Sequence, residues 1–280
     1  MIVRLARLEL WKIYRKPRSW IAFAAIAVLV SIVHVVMFLQ GEQLTALALQ
    51  GIEQYLQIEG QYVHGYLVAF IVQGLLLVHL PFLVTLVAGD LLAGEAAAGT
   101  LRMLFLQPVP RWKVVLAKVL ALGLYVASVV VFLAVIALGG GVLLFGVGDL
   151  VVLKSAGVVV IPSGDVLWRF VAAYSYNWLG LMTVALLAML FGSLTDNALG
   201  PVIGAMAVVI VMTAIALLDV PLVAQLSDWF FTTHAAAWRL LFDSPVPTMQ
   251  VGRSGAVLVM HCVVFSIVTV AVVERRDVLS

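Results

Sequence analysis

Six stretches of this chain are apolar over about 20 residues each, and this pattern constrains the fold more than any other feature. A helix needs about 20 apolar residues to cross the hydrocarbon core of a bilayer, so each stretch is a candidate span. The sequence therefore predicts an all-α membrane protein with six transmembrane helices. The spans are expected at about residues 20–39, 66–92, 114–141, 168–194, 198–218 and 254–273.

The composition excludes several classes of protein. Of the 280 residues, 64% are hydrophobic and 11% are charged, whereas a soluble domain is about 25% charged. So few charges cannot cover the surface of a water-soluble globule, which argues against a soluble enzyme and against a disordered chain. The formal net charge is only +2, so no overall basic field points to nucleic acid as a partner.

The distribution of basic residues predicts the orientation, because cytoplasmic loops are enriched in Lys and Arg. The loop between the first two spans holds Glu42, Glu53 and Glu59 and no Lys or Arg. The alternation of six spans then places 12 of the 16 basic residues on one side, with both termini cytoplasmic. These twelve are Arg4, Arg7, Lys12, Arg15, Lys16, Arg18, Arg102, Arg111, Lys113, Lys118, Arg275 and Arg276.

Residues 2–16 predict an amphipathic helix that lies in the membrane interface. Its basic side is expected to face anionic headgroups, with the lipid bilayer as its partner. A contact with a cytoplasmic protein is the alternative, because Leu5, Leu8 and Trp11 interrupt that basic side. The predicted apolar arc consists of Ile2, Val3, Ala6, Leu10, Ile13 and Tyr14.

The loop after the second span combines charged and apolar residues in an informative order. Asp90 and Glu95 lie where the span leaves the membrane, and ion pairing with nearby Lys and Arg is their expected role. Thr100 can cap a short helix. Leu101, Leu104 and Phe105 would share one face of that helix, and Pro108 would end it. An apolar face exposed at the membrane surface favours contact with a partner.

This loop resembles that of the ABC-2 type permeases, which are membrane subunits of ATP-binding-cassette transporters. The run from Leu187 to Gly200, the ending from Glu274 to Asp277 and the N-terminal helix are also similar to that family. The motif elements of the loop occur in order: Gly89-Asp90, Gly94-Glu95, Gly99-Thr100-Leu101-Arg102, Pro108-Val109-Pro110-Arg111 and Lys118.

The resemblance implies that residues 1–280 form one permease domain, an exporter whose coupling loop at 94–111 docks on a separate ATPase. It also implies a prokaryotic inner membrane, a second permease copy, and an outer re-entrant segment between the last two spans that contains Trp229, Phe230, Phe231 and Trp238. The coupling residues implied are Glu95, Gly99, Thr100, Leu101, Arg102, Leu104, Phe105 and Arg111. For the interfacial helix, the residues expected to make its contacts are Arg4, Arg7, Trp11 and Arg15, from the amphipathic pattern described above.

The chain itself is not expected to be an enzyme. It contains no G-x-x-x-x-G-K-[ST] phosphate loop, so ATP and Mg²⁺ would bind the partner subunit, and no cofactor is expected in this chain. A membrane anchor or signalling partner of an ABC ATPase is the main alternative. A self-contained transporter or channel is less favoured, because spans one, three, five and six carry no mid-span acidic or basic residue.

Four further polar residues lie within predicted spans: His34, His79, His261 and Cys262. A soft-metal path would need such side chains to converge from several helices. Hydrogen bonding of each histidine to a helix backbone is the simpler interpretation, so no metal site is predicted.

Overall fold

The computed structural model of the protein describes residues 1–49, 63–100, 108–154, 157–218 and 226–276. Five of its helical segments are long and apolar enough to cross a membrane, in agreement with an all-α membrane protein. The α-helices are α1 (Ile2–Arg15), α2 (Arg18–Leu49), α3 (Gly65–Ala88), α4 (Asp90–Ala97), α5 (Arg111–Ala134), α6 (Gly140–Phe145), α7 (Ser163–Ser193), α8 (Gly200–Ala216), α9 (Phe231–Ala235) and α10 (Thr248–Arg275).

The predicted spans correspond to these helices with shifted ends. The first span is the beginning of α2, which continues to Leu49. The predicted second span ends in α4, and α3 itself ends at Ala88. The predicted fifth span corresponds to α8, whose 17 residues are about 25 Å long. That length is less than the hydrocarbon core of about 30 Å.

A β-hairpin between α6 and α7 departs from the predicted all-α fold. Strand β1 (Leu150–Lys154) pairs antiparallel with β2 (Gly157–Ile161). Both strands are rich in β-branched valine, which favours extended backbone. Leu150 and Ile161, which pair across the hairpin, are both fully buried, so it packs on the bundle.

Helix α7 is the central element, and it packs against α3, α5, α8 and α10. Helices α3 and α7 run in the same direction, because they meet at two widely separated points. The rings of Tyr66 and Phe170 stack with their centroids 6.1 Å apart. Near the other end, a Cβ on Gly192 would lie 2.7 Å from the Gly89 carbonyl oxygen. The missing side chain therefore lets the two backbones touch.

The third span, expected to end at about residue 141, continues through the glycine triplet 139–141 as far as Phe145. Helix α5 passes into a π-helical segment, Val135–Gly139, and then into α6. The ring of His34 lies against this segment, since a Cβ on Gly140 would be 3.0 Å from its Cε1 atom. The glycines therefore do not terminate the helix, which changes only locally to π-helical hydrogen bonding.

Contacts between distant parts of the chain define one end of the bundle. Lys16, just after α1, pairs with Asp90 at the start of α4. Arg276, just after α10, donates to the Ser193 carbonyl at 3.1 Å and pairs with Asp196 in the turn before α8. The N-terminal helix and the residue following the last helix therefore lie at the same end.

The opposite end contains the hairpin, α9 and a 3₁₀ helix, Ala236–Phe242. Arg169 of α7 donates to the carbonyls of Leu241 (3.0 Å) and Asp243 (2.6 Å), which fixes this segment on the bundle. Phe231 and Trp238 are only 1% and 3% exposed. Both belong to the segment that was expected to be re-entrant, where aromatic residues suit the lipid interface. They pack in the protein core instead, because α9 and the 3₁₀ helix lie against α7 and α10.

Candidate coupling site

A buried lysine organises the end of the bundle where α1 lies. The side chain of Lys118 on α5 is completely buried, and its Nζ atom lies 2.6 Å from Glu9 Oε2 and 2.8 Å from Glu95 Oε2. Lys12 Nζ lies 2.6 Å from Glu9 Oε1 and 3.1 Å from Glu95 Oε1. We call Glu9, Lys12, Glu95 and Lys118 the ion cluster. It joins α1, α4 and α5 through alternating charges, which offset the cost of burying Lys118.

A second set of ion pairs centres on Asp90, whose side chain is 4% exposed. Its Oδ2 lies 2.6 Å from Lys16 Nζ, and its Oδ1 lies 2.5 Å from Arg18 Nη1. A Cβ at position 94 would lie 2.0 Å from Oδ1. Gly94 therefore leaves the space that the carboxylate occupies one turn along α4. Between the two sets lies a cavity of about 20 Å³, large enough for one water, lined in part by Glu9, Lys12, Lys16, Arg18, Asp90 and Glu95.

Electrostatics favour the ionised form of Glu9. Burial would raise its pKa, but the ammonium groups of Lys118 and Lys12 outweigh burial and hold the pKa below its ordinary value of 4.5. A carboxyl group with a lowered pKa stabilises the fold above its unfolded-state pKa. That contribution disappears as the pH falls through the lower, folded-state pKa.

We expect acid to release α1 from the bundle through Glu9. Protection of α1 from a protease that is active over a broad pH range should be constant near pH 7. It should begin to decrease as the pH falls below about 4.5, where Glu9 of the undocked helix binds a proton, and its Glu9 contribution should be lost at the lower pKa of the docked helix. The Glu9→Gln variant should show weaker protection at pH 7 and a flatter pH profile, measured by the rate of cleavage within residues 2–15. An unchanged acid transition in that variant would exclude Glu9 as its cause.

The predicted coupling residues divide into described and undescribed positions. Glu95 belongs to the ion cluster, as its expected pairing with a basic residue requires. Gly99 adopts φ +68° at the end of α4, a conformation that glycine tolerates best. The Thr100 hydroxyl donates to the Glu95 carbonyl at 3.2 Å. Leu101, Arg102, Leu104 and Phe105 lie outside the described residues.

Arg111 begins α5 and binds the end of α10. Its Nη1 atom donates to the carbonyls of Val273 (3.1 Å), Glu274 (3.2 Å) and Arg276 (2.9 Å). The last carbonyls of a helix have no partner within the helix, so this guanidinium caps α10. Arg111 thus connects the end of the coupling loop to the last helix, a contact that the sequence did not predict.

The outer face of α1 carries the residues expected to make the contacts of the interfacial helix. Arg4, Arg7, Trp11 and Arg15 are all exposed. The Arg15 guanidinium lies 3.9 Å from the Trp11 ring centroid, a cation–π contact.

Two basic residues of α1 have partners within the protein. Lys12 and Lys16, which belong to the basic side of the helix, pair with carboxylates of the protein. Val3 of the predicted apolar arc is 79% exposed, and its contact with the membrane interface stays a prediction. Glu9, the only acidic residue of α1, faces the bundle and pairs with the buried Lys118.

Two of the three histidines predicted to lie in spans, His79 and His261, bond within their own helices, whereas His34 lies against the third span. The Nδ1 atoms of His79 and His261 lie 2.9 Å and 2.8 Å from the Leu75 and Val257 carbonyl oxygens, one turn earlier in their own helices. Cys262 Sγ lies 3.2 Å from Thr183 Oγ1. Within the described parts of the chain, no three His, Cys, Asp or Glu residues are grouped so as to hold a metal ion.

Comparison with known families finds a match that covers most of the chain. The family described as a protein of unknown function (DUF2705) matches residues 22–279, so the chain belongs to that family. No curated protein matches the chain. The matched region includes Asp90, Glu95 and Lys118, whereas α1 precedes it.

Proposed function

We propose that this member of the DUF2705 family is the permease subunit of an ATP-binding-cassette transporter, an exporter driven by a separate ATPase. The observation that carries the proposal is the ion cluster. Its Glu95 lies on α4, at the beginning of the segment 94–111 that resembles the coupling loop of ABC-2 type permeases. The other three members lie on α1 and α5.

The ion cluster offers a direct mechanical connection. A force on residues 98–110 would reach Glu95 and pass through Lys118 to α5 and through Glu9 to α1. Breaking a buried ion pair costs far more than moving it as a unit, so the three helices should move together. Asp90, paired with Lys16 and Arg18, adds a second connection to the start of α2.

The proposal includes a membrane topology. Six spans, with α8 as the fifth, would place both termini on the cytoplasmic side of a prokaryotic inner membrane. The common position of α1 and Arg276 at one end of the bundle supports this arrangement. Exposed Arg4, Arg7 and Arg15 at that end also agree with a cytoplasmic surface. Two permease copies and two ATPases, which bind ATP and Mg²⁺, would complete the transporter.

The coupling loop can be tested by reversing its chemistry. The double variant Leu101→Asp, Arg102→Glu should weaken binding of the ATPase by at least about 30-fold, the effect of losing one interface hot spot. The measurement is co-purification of a protein with a G-x-x-x-x-G-K-[ST] motif from the native host, followed by vanadate-sensitive ATPase activity of the complex in vesicles.

Arg239→Glu provides the matched control, because Arg239 is exposed and belongs to the 3₁₀ helix at the other end of the bundle. This variant should retain the ATPase. The proposal is wrong if no such ATPase accompanies the wild-type chain, or if the double variant keeps full activity. ATPase activity without movement of any substrate would favour the membrane-anchor alternative.

A further inference from the structure

Three polar side chains in the bundle interior have no hydrogen-bond partner among the described residues. They are Gln73 on α3 and Tyr174 and Asn177 on α7, with exposures of 0%, 6% and 3%. Both amide atoms of Gln73, both of Asn177 and the Tyr174 hydroxyl are unpaired. None of these groups takes part in the ion cluster, which lies at the far end of α3.

The packing of α3 on α7 places the two amides at the same level. Tyr66 stacks on Phe170, and Gly89 touches Gly192, so the helices run parallel with almost constant register. Gln73 and Asn177 each follow the stacked rings by seven residues. Seven residues are nearly two full turns. The two amides therefore lie on the same helix faces that bring the rings together.

Such an arrangement is costly in the closed bundle. Buried polar groups normally have hydrogen-bond partners. An amide without a partner loses its hydrogen bonds to water, and no protein hydrogen bond offsets that desolvation cost. Hydroxyl groups elsewhere in these helices do bond locally, as when Thr85 donates to the Phe82 carbonyl and Thr183 to that of Leu179. The unpaired amides thus point to a partner that enters when the helices separate.

We propose that α3 and α7 form a binding site for an uncharged hydrogen-bonding group, such as a hydroxyl or an amide, at the level of Gln73 and Asn177. Carboxamides offer both donors and acceptors, which matches a neutral polar group. Helix α3 contains no Asp, Glu, Lys or Arg, and those of α7 lie at Asp165 and Arg169, about two turns or more away. An ion would therefore find no compensating charge on either of these two helices.

The neighbouring aromatic rings indicate the rest of the ligand. Phe70 and Phe170 both pack edge-on against Phe242, and the centroid of each ring lies 5.0 Å from that of Phe242. These rings lie between the unpaired amides and the hairpin end of the bundle. An apolar body could lie against these rings while its polar group reaches the amides. The site takes an uncharged amphiphile, and this assignment does not depend on the proposed ATPase.

Cysteine labelling of the full-length protein in liposomes tests the site. In a Cys262→Ala background, Asn177→Cys should react with the neutral reagent hydroxyethyl methanethiosulfonate at roughly 0.1–10% of the rate of Met249→Cys, as expected for a minor open conformation. Met249 is 89% exposed, and Ala185, completely buried two turns further along α7, provides the unreactive control as Ala185→Cys. The anionic sulfonatoethyl reagent should react at least about tenfold more slowly at position 177.

Thermal stability gives an independent readout. Gln73→Leu should raise the midpoint of thermal unfolding, because it removes unpaired buried groups, and Gln73→Cys should be labelled like Asn177→Cys. The site would be overturned if Asn177→Cys reacted no faster than Ala185→Cys. A lower midpoint for Gln73→Leu would also overturn it, because that result would show that the two amides pair with each other. Equal reaction with the anionic reagent would overturn the uncharged ligand class.

Discussion

Replacing Lys118 with methionine is expected to undock α1 and to lower the free energy of unfolding by about 3–5 kcal/mol, the usual effect of removing one partner of a buried ion pair. The side chain of Lys118 is completely buried and contacts both Glu9 and Glu95. Its loss leaves the two carboxylates with Lys12, which is 44% exposed, as the remaining lysine of the ion cluster. Like charges held close together in a poorly hydrated site then repel each other. Trypsin cleavage after Arg7 and Arg15 should accelerate along with the loss of stability.

Two lysine variants calibrate this result. Lys113→Met removes a lysine from the same helix, where its ammonium lies 5.3 Å from the Trp112 ring centroid, and should change stability by less than about 1 kcal/mol. Lys12→Met should also cost less than Lys118→Met, since the Lys12 side chain is 44% exposed and solvent screens its two pairs. Equal effects of Lys113→Met and Lys118→Met would contradict the assigned role of the ion cluster.

Gly65→Ala is expected to destabilise the opposite end of the bundle by about 3 kcal/mol, at the upper end of the range for overpacking. A Cβ on Gly65 would lie 2.4 Å from the Val142 nitrogen and 2.5 Å from the Gly141 carbonyl carbon. Both contacts involve backbone atoms, which cannot rotate away as a side chain can. Helix α3 would have to move off α6, and its hydrogen bond from the Gly65 amide to the Gly146 carbonyl would break.

Gly74→Ala is the matched control on the same helix. Apart from the backbone of its own helix, none of the described residues comes within 4 Å of a Cβ at Gly74, so alanine fits there without displacement. Its lower conformational entropy in the unfolded chain should leave stability unchanged or raise it by about 0.4–1 kcal/mol. Thermal unfolding in nanodiscs measures both variants, and a similar loss for the two would rule out backbone contact as the cause.

Much of the helical pattern can be predicted from the sequence, because a helix that contacts lipid needs apolar residues along its own length. An apolar run of 20 residues predicts a span whatever its neighbours are, so the positions of α2, α3, α5, α7 and α10 could be predicted. The β-hairpin escaped prediction, since its valine-rich strands are also apolar and are too short to show a period.

The candidate site was only half predictable for a related reason. Asp90 and Glu95 lie in a region rich in Lys and Arg, so ion pairing was expected. The sequence did not indicate which Lys or Arg residues would be their partners. Lys118 pairs with Glu9 across 109 residues, and no local pattern encodes that contact. One signal was present: Glu9 is the only acidic residue in an otherwise basic helix.

The distance along the chain between Glu9 and Lys118 also imposes an order on biosynthesis. Lys118 is synthesised 109 residues after Glu9, a delay of about 5–20 s at typical elongation rates. During that interval α1 has none of the α5 contacts that later hold it. Until the third hydrophobic segment reaches the bilayer, α1 must therefore be held by its amphipathic contact with the membrane interface or by the insertion machinery. Docking of α1 thus reports that the first half of the protein has been inserted.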